Sequence, residues 1–400
     1  MSTHALINRL FHVHLVLVFV PLGFVAHWAS WPDTIVTLCN VAAIIPLSAR
    51  LSAASDTIGN RWGDLVGGLI NATFGNTVEL IVGFLAILRH EPRLAQSMMI
   101  GSILSDILLV RQLPRPPRAS EGSLMPPQVQ GCCFITAARG TGVLNVNSAI
   151  ADTLSTLMII TTVALVLPAA LYSTFASKSG SERELRRMVL NFSRATAVVL
   201  LCVYAAYLYF QLKTHSSIFV GADDEHDENL HHDQGASPPS PLPQRQVASD
   251  EVSHTDRPSM SDIAVAALTL VISGLLIAKC TANFMDSLHG TAQALNISKT
   301  FIAIIIMPLA SNASELAQVV AASKNQKIDF AIGVIIGSIL QISLLVLPLL
   351  VVVGWALRLH MDLYFEPSQT YILLLAVITV NQVLQDKHYT FLHGALLISV

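Results

Sequence analysis

Long apolar segments alternate with short polar ones along most of the chain. A helix that crosses a membrane needs about 20 mostly apolar residues, and the pattern predicts a series of such helices. The predicted spans are 10–29, 34–51, 65–88, 98–110, 149–172, 188–212, 263–284, 301–322, 328–353, 371–384 and 389–400. The first segment has a signal peptide as its alternative, but its length and the many spans after it favour a membrane helix. The predicted fold class is an all-α polytopic membrane protein with about 11 transmembrane helices.

Two of these segments are short for a membrane span. The segment 98–110 has 13 residues, about 20 Å of helix against a hydrocarbon core of about 30 Å. The block 110–130 that follows is rich in Pro and Arg and cannot continue a membrane helix. Removal of residues 111–130 joins 97–110 to 131–138 and restores a span of 22 residues. We interpret the block as translated intron sequence, with a genuine cytosolic insertion as the alternative. The segment 389–400 predicts a truncated last helix.

The two halves of the chain share a sequence pattern. Glu79 in GNTVE has its counterpart 236 residues later in Glu315 of SNASE, and the same offset places the GSIL segment 101–104 on 337–340. An ungapped match at two separated points indicates an internal duplication. The two glutamates are five predicted spans apart, and an odd displacement inverts the second copy relative to the first. The sequence therefore predicts inverted repeats, with a transport site between them at the middle of the membrane.

A polar stretch separates the repeats. It is rich in Pro and contains the acid and His cluster ADDEHDENLHHD, which predicts a disordered, solvated loop. Weak metal binding by its histidines is the less favoured alternative. The predicted organisation is an N-terminal transmembrane helix (1–31), a first repeat (32–212, with the irregular block 110–130), the loop (213–260) and a second repeat (261–400).

The paired glutamates are the candidate functional residues. A carboxylate at the middle of a membrane helix costs about 2.5–3.5 kcal/mol even on the lenient insertion scales, so two equivalent ones indicate an ion or proton site. Gly75, Asn76 and Ser311 precede the acids and are poor helix formers, and Pro308 lies close by. They predict broken helices whose freed carbonyls become ligands, and Asn76 and Asn312 add amide oxygens. That each acid only caps a half-helix or pairs with a buried base is the alternative, which two sites in register disfavour.

Composition supports a membrane protein and narrows its function. The chain of 400 residues is 53% hydrophobic and 12% charged, with a net charge of −3 and a mean hydropathy of +0.60, values too apolar for a soluble domain. The sequence contains no nucleophile–base arrangement, phosphate loop or basic groove, so neither an enzyme nor a nucleic-acid partner is indicated. Its five cysteines have no zinc-type spacing, which predicts neither a disulfide framework nor a structural metal.

The motifs GLINATF, GNTVELIVG and SNASE, with the two GSIL segments, resemble the vacuolar-type Ca²⁺/H⁺ exchangers of the calcium/cation antiporter superfamily. The resemblance covers nearly the whole chain. It implies one initial helix before two inverted five-helix repeats, with an acidic cytosolic loop at 223–233. It also implies exchange of Ca²⁺ for H⁺ across the membrane of an acidic organelle, the vacuole, without a cofactor. The expected partners are the lipid bilayer and the two ions, and a homo-oligomer is compatible.

The resemblance also implies the roles of individual residues. Alternating Ca²⁺ and proton binding falls to Glu79 and Glu315, the metal ligands. The other implied or adjoining site residues are Asn76, Asn312, Gly75, Ser311, Ser102, Ser105, Ser338 and Gln341. The chain departs from the family at Ser311 (usually Gly), Leu316 (usually His) and Asp106 (usually Asn). The extra acid is expected either to alter the ion preference or to face solvent.

Elementary chemistry agrees with this resemblance. Ca²⁺ takes six to eight hard oxygen ligands, which carboxylate, amide, hydroxyl and carbonyl groups provide. Two buried acids close together take up protons when the site is empty and release them when Ca²⁺ binds. Two alternatives stay open at this point: exchange of Mn²⁺ or Na⁺ in place of Ca²⁺, and an inactive or regulatory exchanger remnant.

Overall fold

A computed structural model of the chain describes residues 18–61, 70, 73–110, 144–145, 148–176, 182–211, 259–316, 328–385 and 388–389. These residues are almost entirely helical. In chain order the helices are α1 (Val18–Trp28), α2 (Asp33–Gly59), α3 (Thr77–Leu88), α4 (Pro92–Val110), α5 (Ser148–Ala176), α6 (Glu182–Tyr209), α7 (Met260–Leu295), α8 (Lys299–Ser311), α9 (Ile328–Gln341, continuing through Ile342–Val346 into Leu347–Ala356) and α10 (Pro367–Gln385). Two short strands, β1 (Leu144–Asn145) and β2 (His388–Tyr389), pair antiparallel. Single π-helical turns lie within α8 at Ile302–Ile306 and within α9 at Ile342–Val346.

The helices have the length and surface of a membrane protein. In the described part of the chain, five segments are long and apolar enough to cross a bilayer: Asp33–Gly59, Ser155–Phe175, Glu182–Tyr209, Met260–Leu295 and Gly333–Ala356. Large apolar side chains such as Leu268 and Leu275 on α7 and Tyr371 on α10 are mostly exposed. Apolar exposure on this scale is unfavourable in water and is normal for a surface that faces lipid. The chain is therefore a helical polytopic membrane protein, and the full helix number and domain boundaries stay predictions.

Helix α4 corrects the expectation of a 13-residue fourth span. It begins at Pro92 and has 19 residues, about 28 Å at 1.5 Å per residue, close to the hydrocarbon thickness. Proline suits the first turn because a backbone N–H there has no partner within the helix. The polar residues of this turn have partners in the α9–α10 connection: Arg93 donates to the Tyr364 carbonyl at 2.7 Å, and Gln96 to the Asp362 carbonyl at 2.8 Å. Length alone is therefore no argument for the intron, and residues 111–130 lie outside the described part of the chain.

A pair of helix boundaries follows the same repeat offset as the motifs. The offset of 236 residues aligns Gly59, the end of α2, with Leu295, the end of α7. Boundaries are set by local capping and turn residues, so their agreement supports the duplication independently of the glutamate motifs.

Two packing units position the site. The first is the long α2–α7 pair, whose seam contains a buried hydroxyl cluster in which Thr37 Oγ1 lies 2.8 Å from both Ser287 Oγ and Thr291 Oγ1. The second is centred on α4, which packs against α3, α8, α9 and α10. Gly101 of α4 lies directly against the backbone of Ile304 in α8. This close approach brings the GSIL turn of one half to the helix break of the other.

Candidate cation-binding site

Both predicted helix breaks are confirmed. Gly75 and Asn76 form a turn before α3 begins at Thr77, and Asn312 forms a turn after α8 ends at Ser311. Each glutamate lies three residues after the asparagine, in the first turn of the following helical segment. A carboxylate there is stabilised by the positive end of the helix dipole.

The backbone carbonyls of the two asparagines are not among those that the breaks could free. The Asn76 oxygen accepts a hydrogen bond from the backbone N–H of Leu80 at 3.1 Å, and the Asn312 oxygen accepts one from Leu316 at 3.0 Å. Both carbonyls begin the hydrogen bonding of the next helical segment. These two carbonyls are therefore not available to a cation.

Ser102 joins the two halves on one side of the site. Its hydroxyl donates to Asn312 Oδ1 at 2.9 Å and lies 3.5 Å from Glu79 Oε1. The serine thus stands between the glutamate of its own half and the asparagine of the other half. Ser311 is also buried beside this group, with its hydroxyl 3.2 Å from Asn312 Oδ1 and in contact with the Glu79 carboxyl group.

Ser338 makes the equivalent contacts on the other side. Its hydroxyl lies 2.9 Å from Glu315 Oε1 and 3.2 Å from Asn76 Oδ1. Ser338 and Ser102 are related by the repeat offset, as are the glutamates and asparagines they contact. The pairing of serine, own glutamate and opposite asparagine is therefore the same on both sides, which a duplicated site predicts.

The two asparagine side chains are oriented through their amide nitrogens. Asn76 Nδ2 donates to Gln341 Oε1 at 2.6 Å, and Asn312 Nδ2 donates to Asp106 Oδ1 at 2.6 Å and to the Ser102 carbonyl at 3.2 Å. With the nitrogens held in this way, the Oδ1 atoms face the serine hydroxyls and the glutamates. Amide oxygens in that position are suitable ligands for a hard cation.

The cluster is shielded from solvent and rich in acceptors. Glu79, Asn76, Asn312, Ser102 and Ser338 are buried. Glu315 is half-buried, and its Oε2 atom is inaccessible with no hydrogen-bond partner among the described residues. A buried acceptor without a donor is costly, and a proton or a cation would satisfy it. The contributing side chains offer only oxygen ligands, the type that Ca²⁺ prefers.

The structure separates the predicted site residues into two groups. Those it brings together are Glu79, Glu315, Asn76, Asn312, Ser102, Ser311, Ser338 and Gln341. Gly75 is exposed in the turn, and Ser105 is half-buried and makes no hydrogen bond to this group within the described part of the chain. The described residues also contain no set of three or more His, Cys, Asp or Glu side chains that could together hold one metal ion. A cation here would depend on amide and hydroxyl oxygens as much as on carboxylates.

Asp106 belongs to the cluster although the sequence left its position open. It is 0% exposed, which excludes the expectation that it faces solvent. It lies one helical turn after Ser102, on the same face of α4. The spacing of four residues from Ser102 could have indicated from the sequence that Asp106 faces the site. It could not have indicated that Asn312 and Ser338 of the other half lie opposite Asp106.

Comparison with known proteins agrees with this geometry. The chain matches the sodium/calcium exchanger protein family over residues 33–112 and 265–400. The chain belongs to this family. It is 33% identical to a vacuolar calcium ion transporter of Schizosaccharomyces pombe, over 97% of the chain and 82% of that relative. It is 30% identical to a Ca²⁺/H⁺ antiporter of Synechocystis, over 96% of the chain and 93% of that relative.

The fold is likewise shared with solved exchangers. The structure of native YfkE superposes with a TM-score of 0.70 at 22% identity, covering 97% of this chain and 96% of that one. The family expected from the motifs is therefore confirmed, as is the helical membrane architecture. The match to the family on both sides of the polar loop places both halves of the cluster within family sequence.

Proposed function

We propose that the protein is a secondary active transporter that exchanges Ca²⁺ for H⁺ across the vacuolar membrane. Family membership and the relatives described as a vacuolar calcium ion transporter and a Ca²⁺/H⁺ antiporter support this proposal. The observation that carries it is the meeting of Glu79 and Glu315 with the same serine and asparagine partners, exchanged between the two halves. Inverted repeats spanning 32–212 and 261–400 remain part of the proposal.

The two glutamates are the groups that alternate between cation and proton. In the described arrangement the hydroxyls of Ser102 and Ser338 lie against the carboxyl groups of Glu79 and Glu315. A bound Ca²⁺ would draw in the carboxylate oxygens and the Oδ1 atoms of Asn76 and Asn312, and the serine hydroxyls would turn to other acceptors. Because the site is buried, either a cation or protons must compensate the two carboxylates before it can change sides. That requirement couples the two ions.

Proton-driven uptake of ⁴⁵Ca²⁺ into vesicles tests the proposal. The full chain is reconstituted in vesicles with an acidic interior, and uptake is compared with that of Glu79→Gln and Glu315→Gln. Each glutamine keeps the size of the side chain but loses its charge and its exchangeable proton, so we expect uptake to fall to background in a folded protein. Glu182→Gln is the control, since Glu182 is exposed and forms only a surface pair with Arg186.

The same assay separates the alternatives. Uptake of Mn²⁺ or Na⁺ in place of Ca²⁺ would change the substrate assignment, and a folded wild-type protein that carries none of these ions would indicate a non-transporting remnant. Appreciable Ca²⁺/H⁺ exchange by either glutamine variant would remove the two-glutamate mechanism.

A further inference from the structure

We propose that Asp106 is a positioning and specificity-determining residue, which holds Asn312 and Ser338 in place and biases the site towards a divalent over a monovalent cation. The inference rests on the proposed cation exchange at this site and adds to it the residue that sets the charge preference. Asp106 lies on α4, in the first half of the chain, while Asn312 and Ser338, to which it is hydrogen-bonded, belong to the second half.

The two oxygens of Asp106 hold two different side chains. Oδ1 accepts from Asn312 Nδ2 at 2.6 Å, and Oδ2 lies 2.9 Å from Ser338 Oγ. The carboxyl group also contacts that of Glu315. Asp106 therefore lies directly behind candidate ligands and is completely buried.

The pseudo-symmetry of the site shows which property of Asp106 is special. The repeat offset pairs Asp106 with Ile342, an apolar residue, and on that side Gln341 accepts from the Asn76 amide at 2.6 Å. A neutral amide oxygen is thus sufficient to orient one asparagine. The other asparagine is oriented by a carboxyl group, so an ionisable group is what Asp106 adds to a role that does not require one.

The charge acts without direct coordination. The two oxygens of Asp106 are engaged by Asn312 and Ser338, so Asp106 would lie behind these two side chains and need not contact the ion. Coulomb attraction scales with the charge of the cation, so a nearby carboxylate favours a divalent ion twice as strongly as a monovalent one at the same distance. In a buried site this difference is little screened.

The test compares Ca²⁺ uptake and its inhibition by Na⁺ in reconstituted full-length protein. For Asp106→Asn we expect the Km for Ca²⁺ to rise about tenfold, with a smaller change in the Na⁺ concentration that half-inhibits uptake. Asp286→Asn makes the same substitution at an exposed surface ion pair and is expected to leave both values unchanged. Unequal effects on the two ions are the readout, because a merely structural defect would not distinguish them.

Moving the charge to the other side of the site provides a second test. The double variant Asp106→Asn/Gln341→Glu restores the charge while keeping an acceptor for Asn76, so we expect most of the Ca²⁺ preference to return. If Asp106→Asn fails to fold, Gln341→Glu alone should lower the Km for Ca²⁺ relative to the inhibitory Na⁺ concentration.

The outcomes distinguish this inference from the proposed function. Wild-type exchange that Glu79→Gln abolishes, combined with an Asp106→Asn protein of unchanged Ca²⁺ and Na⁺ values, would overturn the inference and leave the proposed function intact. Equal changes in both values, or a double variant without recovery, would also overturn it. A folded wild-type protein that carries no Ca²⁺ would overturn both.

Discussion

Replacement of Gly101 with alanine is expected to separate α4 from α8 and to disturb the site at the same time. A Cβ atom at this position would stand 2.2 Å from the carbonyl oxygen of Ile304 and 2.7 Å from its Cα atom. Ordinary contacts of this kind exceed 3 Å, so one helix must move by about 1 Å. The obstacle is backbone, which cannot rotate away as a side chain can, and overpacking of this type costs about 1–3 kcal/mol.

The displacement also reaches the proposed ligands. Ser102 follows Gly101 directly, and its hydroxyl donates to Asn312 Oδ1, just after the end of α8, at 2.9 Å. A shift of about 1 Å would lengthen this contact beyond the range of a hydrogen bond. We therefore expect Gly101→Ala to lower both the thermal unfolding midpoint in detergent and the rate of ⁴⁵Ca²⁺ uptake.

Gly274 offers a matched control for this experiment. It lies within α7, and its added Cβ would meet Ile81 Cδ1 at 3.8 Å, an ordinary van der Waals contact. Gly274→Ala should leave the midpoint unchanged or raise it slightly, because alanine is the better helix former by about 1 kcal/mol. A Gly101→Ala protein with the midpoint and uptake of the wild type would refute the close approach of α4 and α8.

Two further predictions concern segments outside the described residues. Deletion of residues 221–250 should leave Ca²⁺ uptake intact and change at most its regulation, since a polar loop contributes little to a membrane core; loss of folded protein on deletion would mean that the acid and His cluster is structural. Sequencing of the transcript should show a dominant mRNA without the codons of the block 110–130. Val346 of α9 is the repeat equivalent of Val110, and α9 continues past it for ten residues, Leu347–Ala356. Helix α4 would continue in a similar way if 131–138 followed Val110 directly. A dominant mRNA that keeps the block would exclude the intron.

The membrane class, the duplication and the glutamate pair could be predicted from the sequence because each depends on local properties. Apolar segments of membrane length must form helices, since the bilayer offers no partner to an unpaired backbone group. Poor helix formers before Glu79 and Glu315 predicted the breaks, since turn and capping preferences act over a few residues. The duplication can be recognised without any knowledge of the fold, because two motifs repeat at the same offset in the sequence.

The start of α4 depended on tertiary contacts. Arg93 and Gln96 are polar residues that a hydropathy pattern places outside a span. In the fold they donate to the carbonyls of Tyr364 and Asp362, more than 260 positions along the chain. Partners so distant in sequence leave no trace in a local window, and the predicted span therefore began too late.

The charge of the site was decided in the same way. Asp106 and Ser105 are neighbours on α4. The position of Asn312 and Ser338 makes Asp106 the buried member of the cluster, whereas Ser105 forms no hydrogen bond to it among the described residues. The pattern along one helix states which residues share a face, but not which surface that face meets. The sequence alone therefore predicted the pair of acids, whereas the third acid beside them was revealed by helix packing, because burial and hydrogen bonding are properties of both surfaces in contact.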